Sequence, residues 1–357
     1  MNKTNAFILH PYLKNSKVSR KIDLFEANNL VKAINLKPIF SKFVGLEKIN
    51  PKTYLNSGFL LYLKEEIKKL NADLIFLNCK LAPIQQRNIE KEVNCKVIDR
   101  TGLILEIFGA RAFSNEGKLQ VHLASLEYQK GRLVRSWTHL ERQRGGAGFM
   151  GGPGERQIES DRRQITDQIN RIKKKIKKIN KTRKLQRYRR KKNNIPIITI
   201  VGYTNSGKST LFNFLTRSNI LAKDMLFASL DSTMRKLKIN DKSIVLVDTV
   251  GFIKDLPTNL IAAFKSTLDE IINSDLILHV MDISNSENDN NKKDVLKVLS
   301  ELGIFEKDPR IINVINKYDL VNKNNQINDV LFNDAILISS ISGYGIENLR
   351  KIIYEKI

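Results

Sequence analysis

Residues 196–215 read PIITIVGYTNSGKSTLFNFL, and this run restricts the fold more than any other stretch of the chain. Its apolar, β-branched start (197–201) predicts a buried strand, and the pattern turns helical near Lys208 after a short turn. Between the two, GYTNSGKS matches the P-loop pattern in the strand–loop–helix setting that gives the pattern meaning. Such a turn lets backbone N–H groups around Gly207 and the helix N-terminus converge on a phosphate. Lys208 is then placed to reach terminal phosphates, and the Ser209 hydroxyl to bind magnesium. Gly202, Tyr203, Thr204, Asn205, Ser206 and Thr210 complete the candidate cradle. The expected surroundings are an α/β domain with its ligand at the carboxyl ends of parallel strands.

A phosphate cradle does not choose between ATP and GTP, so the later motifs decide. After the strand-like SIVLVD comes DTVGF (248–252). Asp248 is expected to hold magnesium through water, with Thr249 and Val250 leading to Gly251, whose amide can reach the terminal phosphate. Further on, NKYD (316–319) follows another apolar run. The Asp319 carboxylate can accept two N–H bonds from a guanine edge, which adenine cannot supply, and a buried site built for such a pair discriminates strongly. Asn316 is expected to brace the loop and Lys317 to lie across the ring. Ser339, Ser340 and Ile341 are expected to close over the base through backbone amides. In FASLDSTMR, Thr233 is the candidate switch threonine for magnesium and the terminal phosphate. Phe252 stands where many GTPases carry a glutamine that orients water, so hydrolysis is expected to be slow without a partner or an ion. Asn205 is a candidate to help hold potassium. The candidate catalytic residues are Lys208, Thr233 and Gly251, and the candidate metal ligands Ser209, Thr233 and Asp248.

The net charge of +24 is unevenly spread. Residues 1–99 hold 17 basic and 9 acidic residues, 100–195 hold 25 and 8, and 196–357 hold 19 and 20. The basicity therefore belongs to a middle segment and suits a phosphate-rich polymer or an anionic surface. Three segments are expected: an N-terminal α/β subdomain (1–99), a basic helical hairpin (100–195) and a nucleotide domain (196–357). The first alternates apolar runs at 6–9, 73–77 and 95–99 with helical stretches and offers no catalytic constellation. No apolar run reaches the ~18 residues a membrane helix needs. Cys79 and Cys95 make neither a disulfide framework nor a zinc cage and suit a reducing cytoplasm.

In the middle segment Leu119, Leu123, Leu126, Leu133, Trp137 and Leu140 fall on heptad spacing, as do Ile165, Ile169, Ile172, Ile176 and Ile179. Two long helices packed along each other are expected, with Gly131 loosening the first. GGAGFMGGPG (145–154) cannot continue a helix, so the chain must reverse there into an antiparallel hairpin. The tip residues Gly146, Phe149, Met150, Gly151 and Gly152 suit close approach to RNA, with Phe149 available to stack on a base. His122 and His139 have no ligand partners at metal-binding spacing.

These motifs, with DRTGLILEIFGARAFSNEGKLQVHLASLEYQ (99–129) and RSWTHLERQRGGAGFMGGPGERQIESDRRQI (135–165), resemble the HflX family of translation-factor-related GTPases. The resemblance spans nearly the whole chain and implies an N-terminal α/β subdomain, an antiparallel helical hairpin and a Ras-like P-loop domain. It further implies binding of GTP and GDP with magnesium, and of the large ribosomal subunit and its RNA. Splitting or rescue of stalled ribosomes under stress, in the cytoplasm, would be the outcome. The hairpin tip would enter the peptidyl-transferase region. The family's use of ATP is implied too, although NKYD does not predict it; a monomer without membrane insertion is expected. The chain departs from the family at Ser232, where proline is common, and at Ser340, where alanine is usual. TYLNSGF (53–59) lacks an expected Gly-Lys-Gly, and many relatives continue beyond the equivalent of Ile357 into a further small domain. Two other readings are a GTP-regulated RNA-binding or ribosome-assembly factor and a GTPase partner of an RNA-modifying enzyme. A decayed nucleotide domain is disfavoured by intact Lys208, Ser209, Asp248, Asn316 and Asp319.

Overall fold

The computed structural model describes residues 4–15, 20–141, 153–218, 226–227, 232–254, 265–285, 288–321 and 335–357. It divides into two compact units, Met1–Ala110 with Val121–Lys175, and Arg111–Gln120 with Ile176–Ile357. Chain order in the first is β1 (Asn5–Leu13), α1 (Arg20–Ala33), β2 (Lys37–Leu46), α2 (Ser57–Leu70), β3 (Leu74–Leu77), α3 (Pro83–Val93), β4 (Lys96–Asp99) and α4 (Arg100–Arg111). The long helices α5 (Asn115–Glu141) and α6 (Pro153–Lys192) follow.

The first sheet has the order β2-β1-β3-β4, with every pair parallel. Strands covered on both faces are apolar without alternation, and accordingly Ala6–Leu9 and all of β3 are buried. Phe7, Leu9, Ile75, Leu77 and Val97 share one core with Leu60, Leu63 and Ile67 of α2 and Ile89 and Val93 of α3. Strand β2 was not among the runs expected from the sequence. It pairs only with β1, and most of its residues are half-buried, so it lacks a continuous apolar stretch. At the carboxyl ends of β1 and β3, Arg100 donates to Asn78 (2.7 Å) and Glu26 (2.6 Å), and Asn78 meets His10 (2.9 Å).

The hairpin helices run antiparallel. Lys173 pairs with Glu127 at 2.8 Å, and Arg183 with Glu116 at 2.7 Å, so advancing along α5 means receding along α6. Their seam buries Leu123, Leu126, Ile169 and Ile172, with Val121 and Ala124 beside them. Ile165, Ile176 and Ile179 are half-buried on the same stripe. Gly131 lies inside α5 without breaking it. The side chains of Trp137, His139 and Leu140 lie outside those described. So do Gly146, Phe149, Met150, Gly151 and Gly152, which fall in the span between α5 and α6.

The second unit continues with β5 (Ile197–Gly202), α7 (Lys208–Thr216), β6 (Thr233–Ile239), β7 (Lys242–Asp248), α8 (Lys265–Ile272), β8 (Leu276–Asp282), α9 (Asn288–Glu301), β9 (Ile311–Asn316), β10 (Ala335–Leu337) and α10 (Ile346–Lys356). Its sheet has the order β10-β9-β8-β5-β7-β6, parallel throughout except where β6 meets β7. Every residue of β5 is buried, which places the loop after it at the middle of the sheet's carboxyl edge. A core of Ile198, Ile200, Leu211, Leu246, Leu278, Val280, Val314 and Leu349 fixes that loop to its neighbours.

Candidate nucleotide site

The loop Gly202–Gly207 is shaped by two glycines that admit no side chain. A Cβ on Gly202 (φ +154°) would stand 2.2 Å from the Val280 carbonyl oxygen, and one on Gly207 (φ +88°) 2.1 Å from Asn316 Nδ2. Both positions combine a left-handed backbone with close packing, which only glycine tolerates without strain. Helix α7 then starts at Lys208 with its N-terminus facing the loop's centre. The Lys208 ammonium is 5 % exposed and donates to the Tyr203 carbonyl at 2.7 Å. Burial lowers its pKa to about 8, against an opposing pull from the Asp248 carboxylate. A cation kept in so dry a place is poised to gain from an arriving phosphate.

Ser209 Oγ donates to Asp248 Oδ2 at 2.7 Å. In the β6–β7 ladder Thr233 is the residue directly opposite Asp248. A hydroxyl, a carboxylate and a second hydroxyl-bearing residue make a hard-oxygen donor set, and these residues fit a magnesium ion. Thr249 donates to the Ile200 carbonyl at 2.6 Å and so ties the end of β7 to β5. Gly251 packs on the P-loop, where an added Cβ would lie 3.0 Å from Lys208 Nζ. Phe252 is locked from both sides: its N–H donates to Gly202 (3.1 Å), and its carbonyl accepts from Thr204 (2.7 Å). Its ring is 1 % exposed, in a core with Val201, Leu268 and Ile271. No polar side chain enters the site from that position.

On the base side, Asn316 Nδ2 donates to the Ser206 carbonyl (3.0 Å), and Asn316 Oδ1 accepts from the Ser340 amide (3.0 Å). One buried side chain therefore joins three loops that are far apart in sequence. Ser339 Oγ donates to Asp319 at 2.5 Å, and the Ser342 amide donates back to Ser339 Oγ at 3.1 Å. Asp319 itself is exposed, as is Ile341 at 74 %. Lys317, at φ +65°, pairs with Asp282 at 2.7 Å. Asp282 was not singled out from the sequence, though it ends the apolar strand β8 as Asp248 ends β7. His279, also missed, sits on that strand with its Nδ1 3.2 Å from Asn313, and burial lowers its pKa to about 4. Asn205 borders a cavity of about 60 Å³ together with His279, Asp282 and Asn291.

Comparison with known proteins decides the family. Residues 21–109 match the family described as GTP-binding GTPase N-terminal, 111–190 the GTP-binding GTPase Middle Region, and 197–317 the 50S ribosome-binding GTPase. GTPase HflX of Magnetococcus marinus is 47% identical over 345 residues, which cover 96% of this chain and 78% of that one. The chain belongs to the HflX family. GTPase HflX of Escherichia coli is 42% identical over 318 residues, covering 88% of this chain and 73% of the relative. Among solved structures, that of SsGBP with GDP is similar at a TM-score of 0.54 and 29% identity, covering 99% of this chain and 98% of that one. A GTP-binding protein of Sulfolobus solfataricus in complex with GDP is similar at a TM-score of 0.50 and 27% identity, with 99% and 98% covered. As an HflX GTPase, the chain hydrolyses GTP to GDP and phosphate, in a P-loop class that generally uses magnesium. No described helix is long and apolar enough to cross a membrane.

Proposed function

We propose that this GTPase binds the large ribosomal subunit through its RNA and couples GTP binding and hydrolysis to the splitting of stalled ribosomes in the cytoplasm. The observation that carries this reading is the character of α6. Between residues 171 and 192 it holds 14 lysines and arginines and no acidic residue. Lys174, Lys175, Lys177, Lys178, Lys181 and Lys184 are exposed along it. A row of cations of this density binds phosphate backbones by releasing their counterions. Basicity of this kind, on a chain whose nucleotide unit matches a family described as ribosome-binding, favours RNA over other anionic surfaces.

Within this proposal the residues of the nucleotide site take the roles expected from the motifs. Gly202 to Ser206 and the Gly207 amide cradle the phosphates, Lys208 neutralises the terminal ones, and Thr210 stands in the first turn of the helix behind them. Ser209, Thr233 and Asp248 would hold magnesium, which supplies charge neutralisation at the phosphates when bound. The Thr249–Gly251 turn presents the Gly251 amide to the terminal phosphate. Asp319 reads guanine, Lys317 covers its face, and the Ser339–Ile341 backbone closes over its edge. Asn205 helps to hold potassium, so exchanging sodium for potassium raises turnover; equal rates in the two salts would remove that role.

The tip around Phe149 is the part that contacts RNA in the docked state, and loss of the small subunit follows from occupation of its place. The test is ribosome dissociation followed by light scattering, with the full chain and with a variant shortened over 146–152. The shortened variant is expected to bind GTP normally and to leave ribosomes intact. Equal splitting by both proteins would make the loop a mere connector. Binding to any RNA regardless of nucleotide would favour an RNA-binding factor instead.

A further inference from the structure

Glu270, in the second unit, is fully buried on α8. Its Oε1 accepts from Arg187 Nε at 3.1 Å, Arg187 Nη2 at 2.9 Å and Arg183 Nη1 at 3.5 Å. Its Oε2 is buried and has no hydrogen-bond partner among the described residues. Arg183 also holds Glu116 of α5 at 2.7 Å. The arginines occupy an informative place. The stripe of buried Ile172 and half-buried Ile176 and Ile179 is followed on α6 by half-buried Arg183, Arg187 and Arg190, Arg187 one position off the strict heptad. This side of α6 therefore turns from apolar to cationic where it meets α8.

A carboxylate this dry is tolerated only with its cations in place, because burying an unpaired charge is very costly. The contact therefore holds α8 in one position against the end of α6. The rest of α8 reaches the catalytic loop. Leu268 and Ile271 pack in the same core as the Phe252 ring. The Phe252 backbone is in turn fastened to Gly202 and Thr204 of the P-loop, one residue after Gly251. A continuous line of contacts thus runs from Arg187 through Glu270, α8 and Phe252 to the amide expected at the terminal phosphate.

We propose that Glu270, gripped by Arg187 and Arg183, is a positioning residue for GTP hydrolysis: it seats α8 so that Phe252 stays folded inward and Gly251 stays in register with the P-loop. It touches no nucleotide and acts through Phe252. The nucleotide-binding residues lie elsewhere, so its loss acts on turnover and leaves binding alone. The reading is independent of what α6 binds.

The test compares the full chain with Glu270→Gln and, separately, Arg187→Gln in GTP turnover without ribosomes. Glutamine keeps the size of Glu270 and removes only its charge, so a purely space-filling role would leave turnover unchanged. The expected result is a kcat at least fivefold lower in both variants, with KM for GTP and affinity for a fluorescent GDP analogue within twofold of the parent. Hydrogen exchange at the amides of α8 and Phe252 is expected to quicken in parallel. Should Glu270→Gln fail to fold, Arg187→Gln decides alone, since Arg187 is partly exposed and leaves Arg183 in place. An unchanged kcat in a folded variant overturns the proposal. So does a loss of kcat accompanied by an equal loss of nucleotide affinity, which would mean general unfolding of the site.

Discussion

Replacing Gly251 by alanine is the smallest change that tests how the loop after β7 meets the P-loop. The new Cβ would lie 2.9 Å from Thr204 Cα, 2.9 Å from Thr204 Cγ2 and 3.0 Å from Lys208 Nζ. Carbon atoms in contact prefer about 3.5–4.0 Å, so the two loops must part by roughly 0.6 Å or more. Rotating the Thr204 side chain removes only one of the clashes, because its Cα is backbone held by the Thr204–Phe252 hydrogen bond at 2.7 Å. Either Gly251 or the P-loop must therefore shift. An amide donor aimed at developing charge is worth about 10²–10³ in rate when removed outright, and a displacement of tenths of an ångström forfeits part of that. The expected loss in kcat is about 10- to 100-fold, which corresponds to about 1.4–2.7 kcal/mol of barrier. Affinity for GDP should change less than about threefold, since Gly207 and Ser209 are untouched. Single-turnover hydrolysis of labelled GTP, set beside a fluorescent-GDP titration, measures both. A kcat within twofold of the parent would refute the argument, as would a parallel collapse in GDP binding.

Asp319→Asn should weaken GTP at least about 100-fold and create a preference for xanthosine triphosphate, whose edge accepts what the amide donates; competition against a fluorescent GDP analogue reads this, and retained GTP preference would contradict the base-reading role. With a pKa of about 8 in the free protein, Lys208 is mostly neutral at pH 9, and phosphates restore its charge. GTP binding should therefore take up about 0.9 proton at pH 9 but only about 0.1 at pH 7, as seen by calorimetry in buffers of different ionisation enthalpy. His279 titrates near 4 when folded and near 6.5 when unfolded. The unfolded chain binds the extra proton between those values, so this stability is whole above 6.5 and lost as pH falls towards 4. The loss is about 2 kcal/mol between pH 7 and 5. His279→Gln should flatten that limb in urea unfolding, and an unchanged pH profile would assign the acid sensitivity elsewhere.

The nucleotide motifs were legible because each answers a local demand of the backbone. Gly202 and Gly207 stand where a Cβ would strike Val280 or Asn316, and such demands appear in sequence as glycines at fixed spacing. Asp248 and Asp319 were legible for a similar reason, each following an apolar strand that fixes its position. Glu270 was not, because its meaning depends on Arg187, 83 residues earlier, and nothing in KSTLDEII marks that position as buried. Asp282 pairs with Lys317 across 35 residues and escaped notice in the same way. The arginines of α6 were hidden differently: within a run of 14 cations, three half-buried ones read as surface charge. Strand β2 was missed because it is an edge strand, paired with β1 alone and mostly half-buried, which leaves little hydrophobic pattern to read.

The candidate site also bears on the chemistry this chain carries by itself. Three of the groups expected to meet the nucleotide already have a protein partner in its place. Lys208 leans on the Tyr203 carbonyl, Ser209 on Asp248, and Asp319 takes the Ser339 hydroxyl. For these three groups binding exchanges one hydrogen bond for another, so their polar atoms need not lose a partner. Orienting the attacking water is a separate requirement. It needs a polar group held in line with the terminal phosphate, and position 252 offers a phenyl ring turned into the core. Turning that ring outward would expose a large apolar surface and still present no polar atom, while the two backbone hydrogen bonds at 2.7 and 3.1 Å hold the main chain of the residue in place. Turnover of the chain alone is therefore expected to be slow and to rise when a partner or an ion is added, as single-turnover GTP hydrolysis would measure. A fast rate unchanged by either would refute the argument from position 252.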